Sequence, residues 1–380
     1  MQDFLLLTSM WTLFGLNIYG FAFYPTYLLV LFYLFRKAIL RVPRSLLIVI
    51  VTVTLLIGIP VMFRPRLLTD WMRWIFLVLL FIRVMTYSKN RIGRLYTVID
   101  WSIGILVIYG IFQYLSVIFG FPERAAWLAN IVHQFSGLSA GAPFDLRDNL
   151  RVASLTQEPS YFAFTVGIYF FITQRKLVKR LCIIGSIISF SQITIYATLG
   201  LLFYYVLRQM FRVKLLVFLL LIVAINLFFA KFLYEKLPED VALRLYPRYV
   251  SLVWFAQKAN PVEVIVGLSE LPDSSDLGNI VGAPFQPNEI WVSRGLSNIG
   301  SLFVNFGLLG MVVYCACLAQ LGRYNQYAAL ALFLYGFNFY YLTAWPSFVI
   351  FAYMIYLGGG PVFEDHNRRL VNSQYLNKLV

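Results

Sequence analysis

Leu215-Leu-Val-Phe-Leu-Leu-Leu-Ile-Val-Ala-Ile-Asn-Leu-Phe-Phe-Ala230 runs without a charge between Lys214 and Lys231. It is too long for a strand. With its flanks it approaches the 17 to 20 apolar residues that an α-helix needs to cross hydrocarbon. Stretches of this kind recur along all 380 residues, of which 60% are hydrophobic, 18% aromatic and only 13% charged. An ordinary globular domain carries about 25% charged residues. No segment is long and polar enough for a separate soluble domain, so residues 1–380 read as one integral membrane domain. Met1 to Gly20 has no basic start and no small-residue cleavage site, and it reads as a first span rather than a cleaved signal.

The formal net charge is +14. Its placement points to a bilayer and not to nucleic acid, because the basic residues cluster between apolar stretches. The clusters are Arg36, Lys37, Arg41 and Arg44; Lys89, Arg91 and Arg94; Arg175, Lys176, Lys179 and Arg180; Arg208, Arg212 and Lys214; then Arg323 and the tail residues Arg368, Arg369 and Lys378. The positive-inside rule puts all of them in the cytoplasm. Two long connections differ. Residues 120–158 hold three basic and four acidic residues, and residues 231–297 hold six basic and eight acidic ones, so both loops are expected outside. Arg64 and Arg66 are forced outside by the alternation and are an exception to the rule.

The expected fold is an all-α polytopic membrane protein with about twelve transmembrane helices, both termini cytoplasmic, and two long extracytoplasmic loops at 120–158 and 231–298. The spans fall near 4–20, 22–35, 45–63, 71–88, 95–119, 159–174, 181–191, 193–207, 215–230, 299–320, 327–342 and 345–358. The pair at 181–207 is short. Two short helices around the polar turn Ser189-Phe190-Ser191-Gln192 would fit, provided the turn is buried in protein or lines a wet cavity. A hairpin of 71–88 with 95–119 would bring Arg83 and Asp100 to one depth. That predicts an ion pair, which reads either as a pin between helices or as a catalytic element.

The spans hold few ionisable groups and no row of buried acids for a proton relay. Cys182, Cys315 and Cys317 lie in apolar stretches without CxxC or Cys/His spacing, which offers no metal or redox site. Chemistry is therefore sought in the two loops. The first ends in Arg151-Val-Ala-Ser-Leu-Thr-Gln-Glu158-Pro159-Ser160-Tyr161-Phe162-Ala163. Pro159 suits the first position of a helix. Its free N–H groups and Arg151 would favour an anion at the outer membrane surface. On the plainer reading Glu158 caps that helix and Arg151 pairs with it. Upstream, Pro122 to Phe135 reads as an interfacial amphipathic helix through Trp127, Ile131 and Phe135, with His133 on or near it. The second loop holds Arg244-Leu-Tyr-Pro247-Arg248-Tyr249, where Pro247 starts a helix that ends at Asn260-Pro261. Arg248 in a first turn opposes the helix dipole unless an anion neutralises it. Gly267-Leu268, an acidic stretch from Pro272 to Gly282, and Asn298 follow ahead of Gly307 and Gly310.

These features together resemble the Wzy-type polymerases of bacterial O-antigen and capsular polysaccharide synthesis, and the related O-antigen ligases. Three places carry the resemblance. Arg151 with Glu158-Pro159-Ser160-Tyr161-Phe162-Ala163 looks like the family's Arg…Glu-Pro-Ser signature before a span. The short 181–207 hairpin with its Ser-rich turn is the second. The large second loop, with Arg244 or Arg248, Gly267-Leu268, and Ser297-Asn298 leading into Gly307-Leu308-Leu309-Gly310, is the third.

The resemblance implies a metal-independent glycosyltransferase, without cofactor, in the bacterial cytoplasmic (inner) membrane. Its substrate would be an undecaprenyl-diphosphate-linked oligosaccharide, its setting the lipid bilayer, and its companions a flippase and a chain-length regulator. Arg151 and Arg248 are expected on the leaving diphosphate, with Arg244 in reserve. Glu158 is expected either as base for the acceptor hydroxyl or as the group that positions Arg151. Tyr161 and Tyr249 are candidates for stacking on sugar rings, beside Trp291, and Asn298 is a further substrate contact. The ligases carry an important His in the second large loop, whereas here the only histidines are His133 and His366, which favours the polymerase. The competing readings are a ligase transferring glycan to lipid A core, a flippase or transporter for the same lipid-linked sugar, and a noncatalytic scaffold.

Overall fold

A computed structural model describes residues 2–11, 16–18, 21–30, 51–52, 54–55, 68–121, 123–124, 126–128, 131, 152–156, 159–189, 191–233, 252–253, 255–256, 259–267, 298–336 and 346–357. The helices are α1 (Gln2–Leu7), α2 (Leu68–Ile118), α3 (Pro159–Ile172), α4 (Lys176–Ile188), α5 (Gln192–Phe211), α6 (Leu215–Phe228), α7 (Pro261–Val266), α8 (Asn298–Tyr335) and α9 (Pro346–Tyr356). Three helical runs among the described residues are long and apolar enough to cross a membrane: Ile92–Ile118, Leu215–Phe232 and Leu302–Tyr335. Pro159–Ile172 and Ser347–Tyr356 are shorter apolar helices. The chain is a helical, membrane-embedded protein.

The surface says the same. On α5, Ile195, Tyr196, Leu199, Leu202, Phe203 and Val206 are exposed, while Ile193, Ala197 and Tyr204 face the core. In water such an apolar outer stripe would be an aggregation surface, and in lipid it is the ordinary lining of a bundle. Inside, Phe162, Phe164, Tyr169, Phe333 and Phe351 are fully buried. The Phe164 ring stands edge-on to Tyr335 at 5.9 Å and to Phe351 at 6.0 Å, so α3, α8 and α9 share one aromatic core.

The N-terminus departs from the expected helical span over 4–20. Among the described residues of that stretch, only α1 and a short 3-10 turn, Thr8–Met10, are helical. Leu16–Ile18 (β1) and Phe21–Phe23 (β2) then pair antiparallel, with Asn17 opposite Ala22. Gly15, Asn17 and Gly20 are poor helix formers, and apolar residues alternate across the pair, which suits a strand period.

Where spans were expected near 71–88 and 95–119, α2 is one helical run of 51 residues. A straight helix of that length would measure about 76 Å, against about 30 Å of hydrocarbon. Contacts show that the run bends. The Phe76 ring lies 5.6 Å from Tyr27, Thr26 donates to the Leu5 carbonyl at 3.1 Å, and the Leu7 carbonyl accepts from Ser102. That chain of contacts cannot span the about 39 Å that straight helix would put between Phe76 and Ser102. Both halves also meet neighbouring residues of α9: Phe81 packs on Tyr353 at 5.4 Å, and the Tyr96 hydroxyl donates to the Met354 carbonyl at 3.4 Å.

The expected Arg83–Asp100 pair does not form. Buried Asp100 accepts from Arg175 Nε at 3.0 Å, from the Tyr169 hydroxyl at 2.7 Å and from Thr173 at 3.0 Å. Arg175 also donates to Thr97 at 3.1 Å. The aspartate faces the C-terminal end of α3, so the next basic cluster in the sequence supplies its cation instead of its own helix.

α8 breaks twice, at Gly307 (φ 57°, ψ −157°) and at Asn325 (φ −151°, ψ 96°). Asn325 is a joint. Its Oδ1 accepts the Ala328 N–H at 3.0 Å and so caps the helix that follows, and its Nδ2 donates to the Phe171 carbonyl at 2.7 Å near the end of α3. The expected end of a helix at Asn260-Pro261 is also a beginning. Asn260 accepts from the Val262 and Glu263 N–H groups, and Glu263 returns a bond to the Asn260 N–H. Asn-Pro-Val-Glu is a capping box with Pro in the first turn, and it opens α7.

Candidate functional site

The segment Val152–Thr156 leads from the first loop into α3. All five residues are buried, and none is helical. Ser154 has φ 54°, a left-handed conformation that costs an L-residue about 1–2 kcal/mol. Its backbone N–H donates to Gln113 Oε1 at 2.7 Å, and its hydroxyl donates to the Leu106 carbonyl. Thr156 closes the turn by donating its hydroxyl to the Ala153 carbonyl at 2.6 Å. Non-helical backbone at membrane depth persists only where protein or a wet cavity satisfies it. Gln113, itself fully buried inside an apolar helix, performs that task here.

α3 runs antiparallel to the second half of α2. Thr173 lies level with Asp100, and Phe162 lies level with Gly110, where an added Cβ would stand 3.0 Å from the Phe162 ring. That register carries Pro159 to the level of Gln113. Ser154, bonded at Leu106 and Gln113, sits no higher in the bundle than Pro159. The end of the first loop therefore dips between helices.

The α4–α5 hairpin turns at the same level. Gly185 packs against Val107, Phe162 and Val166, and Ile188 reaches Gly110. Ser189 and Ser191, which flank the turn, are buried. α4 has only 13 residues, about 20 Å of helix, so the turn sits inside the protein. The polar turn expected at 189–192 is present and α4 is short, but α5 has 20 residues, about 30 Å, and is not the short second helix expected at 193–207. No side chain caps the N-terminus of α5. The first turn of α3 thus lies level with Gln113, and free helical N–H groups there and at the start of α5 favour anionic oxygen.

A further contact joins α7 to α8. A Cβ on Gly267 would lie 2.5 Å from the Asn305 carbonyl carbon, and one on Gly307 would lie 2.5 Å from the Ile265 carbonyl carbon. Both glycines have positive φ, 92° and 57°. The backbones of α7 and α8 touch where α8 breaks. Gly267 of the second loop and Gly307 of the following span, far apart in sequence, meet here.

Among the proposed site residues, Tyr161 is half-buried in the first turn of α3 and packs against the core. Asn298 opens α8. Arg151 immediately precedes the buried segment and Glu158 follows it by two positions, but both lie outside the described residues, as do Arg244, Arg248, Tyr249, His133 and Trp291. In the amphipathic stretch after Pro122, the backbone at 123–124, 126–128 and 131 is helical, with Trp127 and Ile131 exposed. Sequence reasoning missed Gln113 and Ser154. A lone amide in the apolar stretch 95–119 was a visible signal for Gln113, whereas nothing local marks a left-handed serine.

Comparison with protein-family models, curated proteins and solved structures finds no match.

Proposed function

We propose that the chain is a polysaccharide polymerase that joins undecaprenyl-diphosphate-linked oligosaccharide units at the outer face of the bacterial cytoplasmic membrane. The observation that supports this reading most is the buried, strained segment Val152–Thr156. It lies between the two charged residues of the Arg151…Glu158-Pro159-Ser160 motif, and it ends at the first turn of α3. The short hairpin that turns beside it, and the Gly267–Gly307 contact, bring the other stretches on which the resemblance rests into the same helical assembly.

In this reading the first turns of α3 and α5 and the guanidinium of Arg151 hold the diphosphate of the growing chain. Arg248, with Arg244 in reserve, comes from the second loop. Breaking the sugar–phosphate bond builds negative charge on the leaving diphosphate. Preorganised forked donors that stay ionised stabilise that charge without a metal, each worth about 3 kcal/mol at the transition state. The hydroxyl of the incoming unit attacks the anomeric carbon and gives up its proton to Glu158. Tyr161 and Tyr249 stack on the sugars, and Asn298 contacts them as well.

The test is reconstitution of the purified chain with a synthetic lipid-linked repeat unit. Laddered products are expected, and the Arg151→Ala variant, inserted at normal level, should make none. A single transfer to lipid A core would assign a ligase. Movement of the intact lipid-linked unit across the bilayer without transfer would assign a flippase. Long chains from a well-expressed Arg151→Ala variant would remove Arg151 from the mechanism.

A further inference from the structure

A second polar feature stands apart from that site. Where α5 ends and α6 begins, a cleft of about 630 Å³ opens against the middle of α8. Four cations line it: Arg208, Arg212, Lys214 and Arg323. No acidic residue lines it, and among the described residues no ion pair joins any of the four. Its floor is apolar, from Leu215, Leu216 and Ala319.

Topogenic charge explains why basic residues lie on this side of the membrane, but not why four of them converge on one cleft. Their placement is also electrostatically incomplete. Arg208 lies in the last turn of α5, where the helix dipole favours a cation. Arg212 is the C-cap of the same helix, whereas Lys214 is the N-cap of α6, where the dipole disfavours a cation. No side chain caps α6, so the first N–H groups of that helix point toward the same space. Arg212 is held there in a left-handed conformation (φ 53°), which turns the chain sharply between the two helices. Behind the cleft, Leu215 lies so close to Gly322 that any side chain at 322 would displace it, which keeps α6 and α8 together. An anion would neutralise the clustered cations, Lys214 at the helix start among them, and accept from the free N–H groups of α6, and an apolar floor beside it suits acyl chain.

We propose that this cleft binds the phosphate of an anionic lipid headgroup on the side that the charge rule assigns to the cytoplasm. The shared chemistry is a phosphate oxygen cluster held by two or more guanidinium groups and the N-terminus of α6. The source is lipid, because α6 starts its membrane span at the cleft. Basic pockets between spanning helices at headgroup depth recognise such lipids.

The experiment uses the full chain, purified in neutral detergent and reconstituted in nanodiscs of phosphatidylcholine alone or with one part in five phosphatidylglycerol. Lipid retained by the protein after transfer back to detergent is counted by native mass spectrometry. Retained phosphatidylglycerol should exceed retained phosphatidylcholine. The Arg208→Gln/Arg323→Gln variant should retain about 25-fold less, at roughly fivefold for each of the two cations removed near a membrane surface. A Lys176→Gln/Arg180→Gln variant removes as much charge from another cytoplasmic cluster and controls for topology and bulk attraction. It should retain as much as the unaltered chain. Equal loss in both variants would overturn the proposal. So would binding of inorganic pyrophosphate in detergent without selective lipid retention, which would assign a soluble anion to the cleft.

Discussion

Asp100 and Gln113 lie on the same half of α2, about 20 Å apart along the axis, and both are buried. Their surroundings differ in kind. Asp100 is a charge satisfied by regular helices: Tyr169 and Thr173 approach from α3 and its end, and Arg175 closes the pair while staying half-exposed. Gln113 is neutral and serves irregular backbone, the left-handed turn at Ser154. The first arrangement holds two helices at a fixed register. The second fixes an irregular turn level with the start of α3. Polar groups in an apolar medium are tolerated for different reasons: a charge needs a partner, and a non-helical backbone needs a donor or acceptor for every orphan group. Only the second involves the start of a helix and the end of a loop, the elements on which the proposed diphosphate site rests.

The largest expected effect tests the irregular, outer part of this contrast. Gly307→Val places a branched side chain at φ 57° against the backbone of Ile265. Folded, detergent-stable protein should be lost, a cost above about 4 kcal/mol, read as the disappearance of a monodisperse peak on size exclusion. Survival with an unchanged melting temperature would separate α7 from α8 and break the outer assembly.

Asp100→Ala sharpens the inner half. It leaves two buried hydroxyl donors without their acceptor, for about 3 kcal/mol in total. The expected result is a thermal midpoint several degrees lower, with transfer activity retained in the surviving fraction. Loss of catalysis with unchanged stability would make Asp100 part of the site and remove the distinction drawn above.

The smallest expected effect on stability, with the largest on function, is Gln113→Leu. One buried N–H loses its acceptor, for about 2 kcal/mol, but the segment bearing Ser154 loses its anchor. Polymer formation should fall far more than stability, and Gln113→Glu, which keeps an acceptor in place, should restore part of it. A Gln113→Leu variant with full transfer activity would show that the dip of Val152–Thr156 is packing alone.

Much of this was legible in the residues themselves. Pro159 marks the start of α3 because a residue without an N–H fits only a first turn. The serine turn between two short apolar runs marks the hairpin between α4 and α5, because basic clusters on both sides require the chain to enter and return. Other features were not legible. Asp100 has cations on both sides in sequence, and only the packing of α3 on α2 selects Arg175 over Arg83. The residues Asn260-Pro-Val-Glu263 suit an ending as well as a capping box, since Pro both stops one helix and starts the next, and only the structure shows the start.

The order of apolar runs and basic clusters determined by itself that this chain is a helical membrane protein. Transfer of uncharged residues into lipid and retention of Lys and Arg at the surface are local, additive preferences that need no tertiary partner. Tertiary structure alone decided that Ser154 turns left-handed under Gln113, that Gly267 meets Gly307, and that four cations close around one cleft. Each depends on atoms from distant segments arriving at the same few ångströms, and hydropathy carries no record of that.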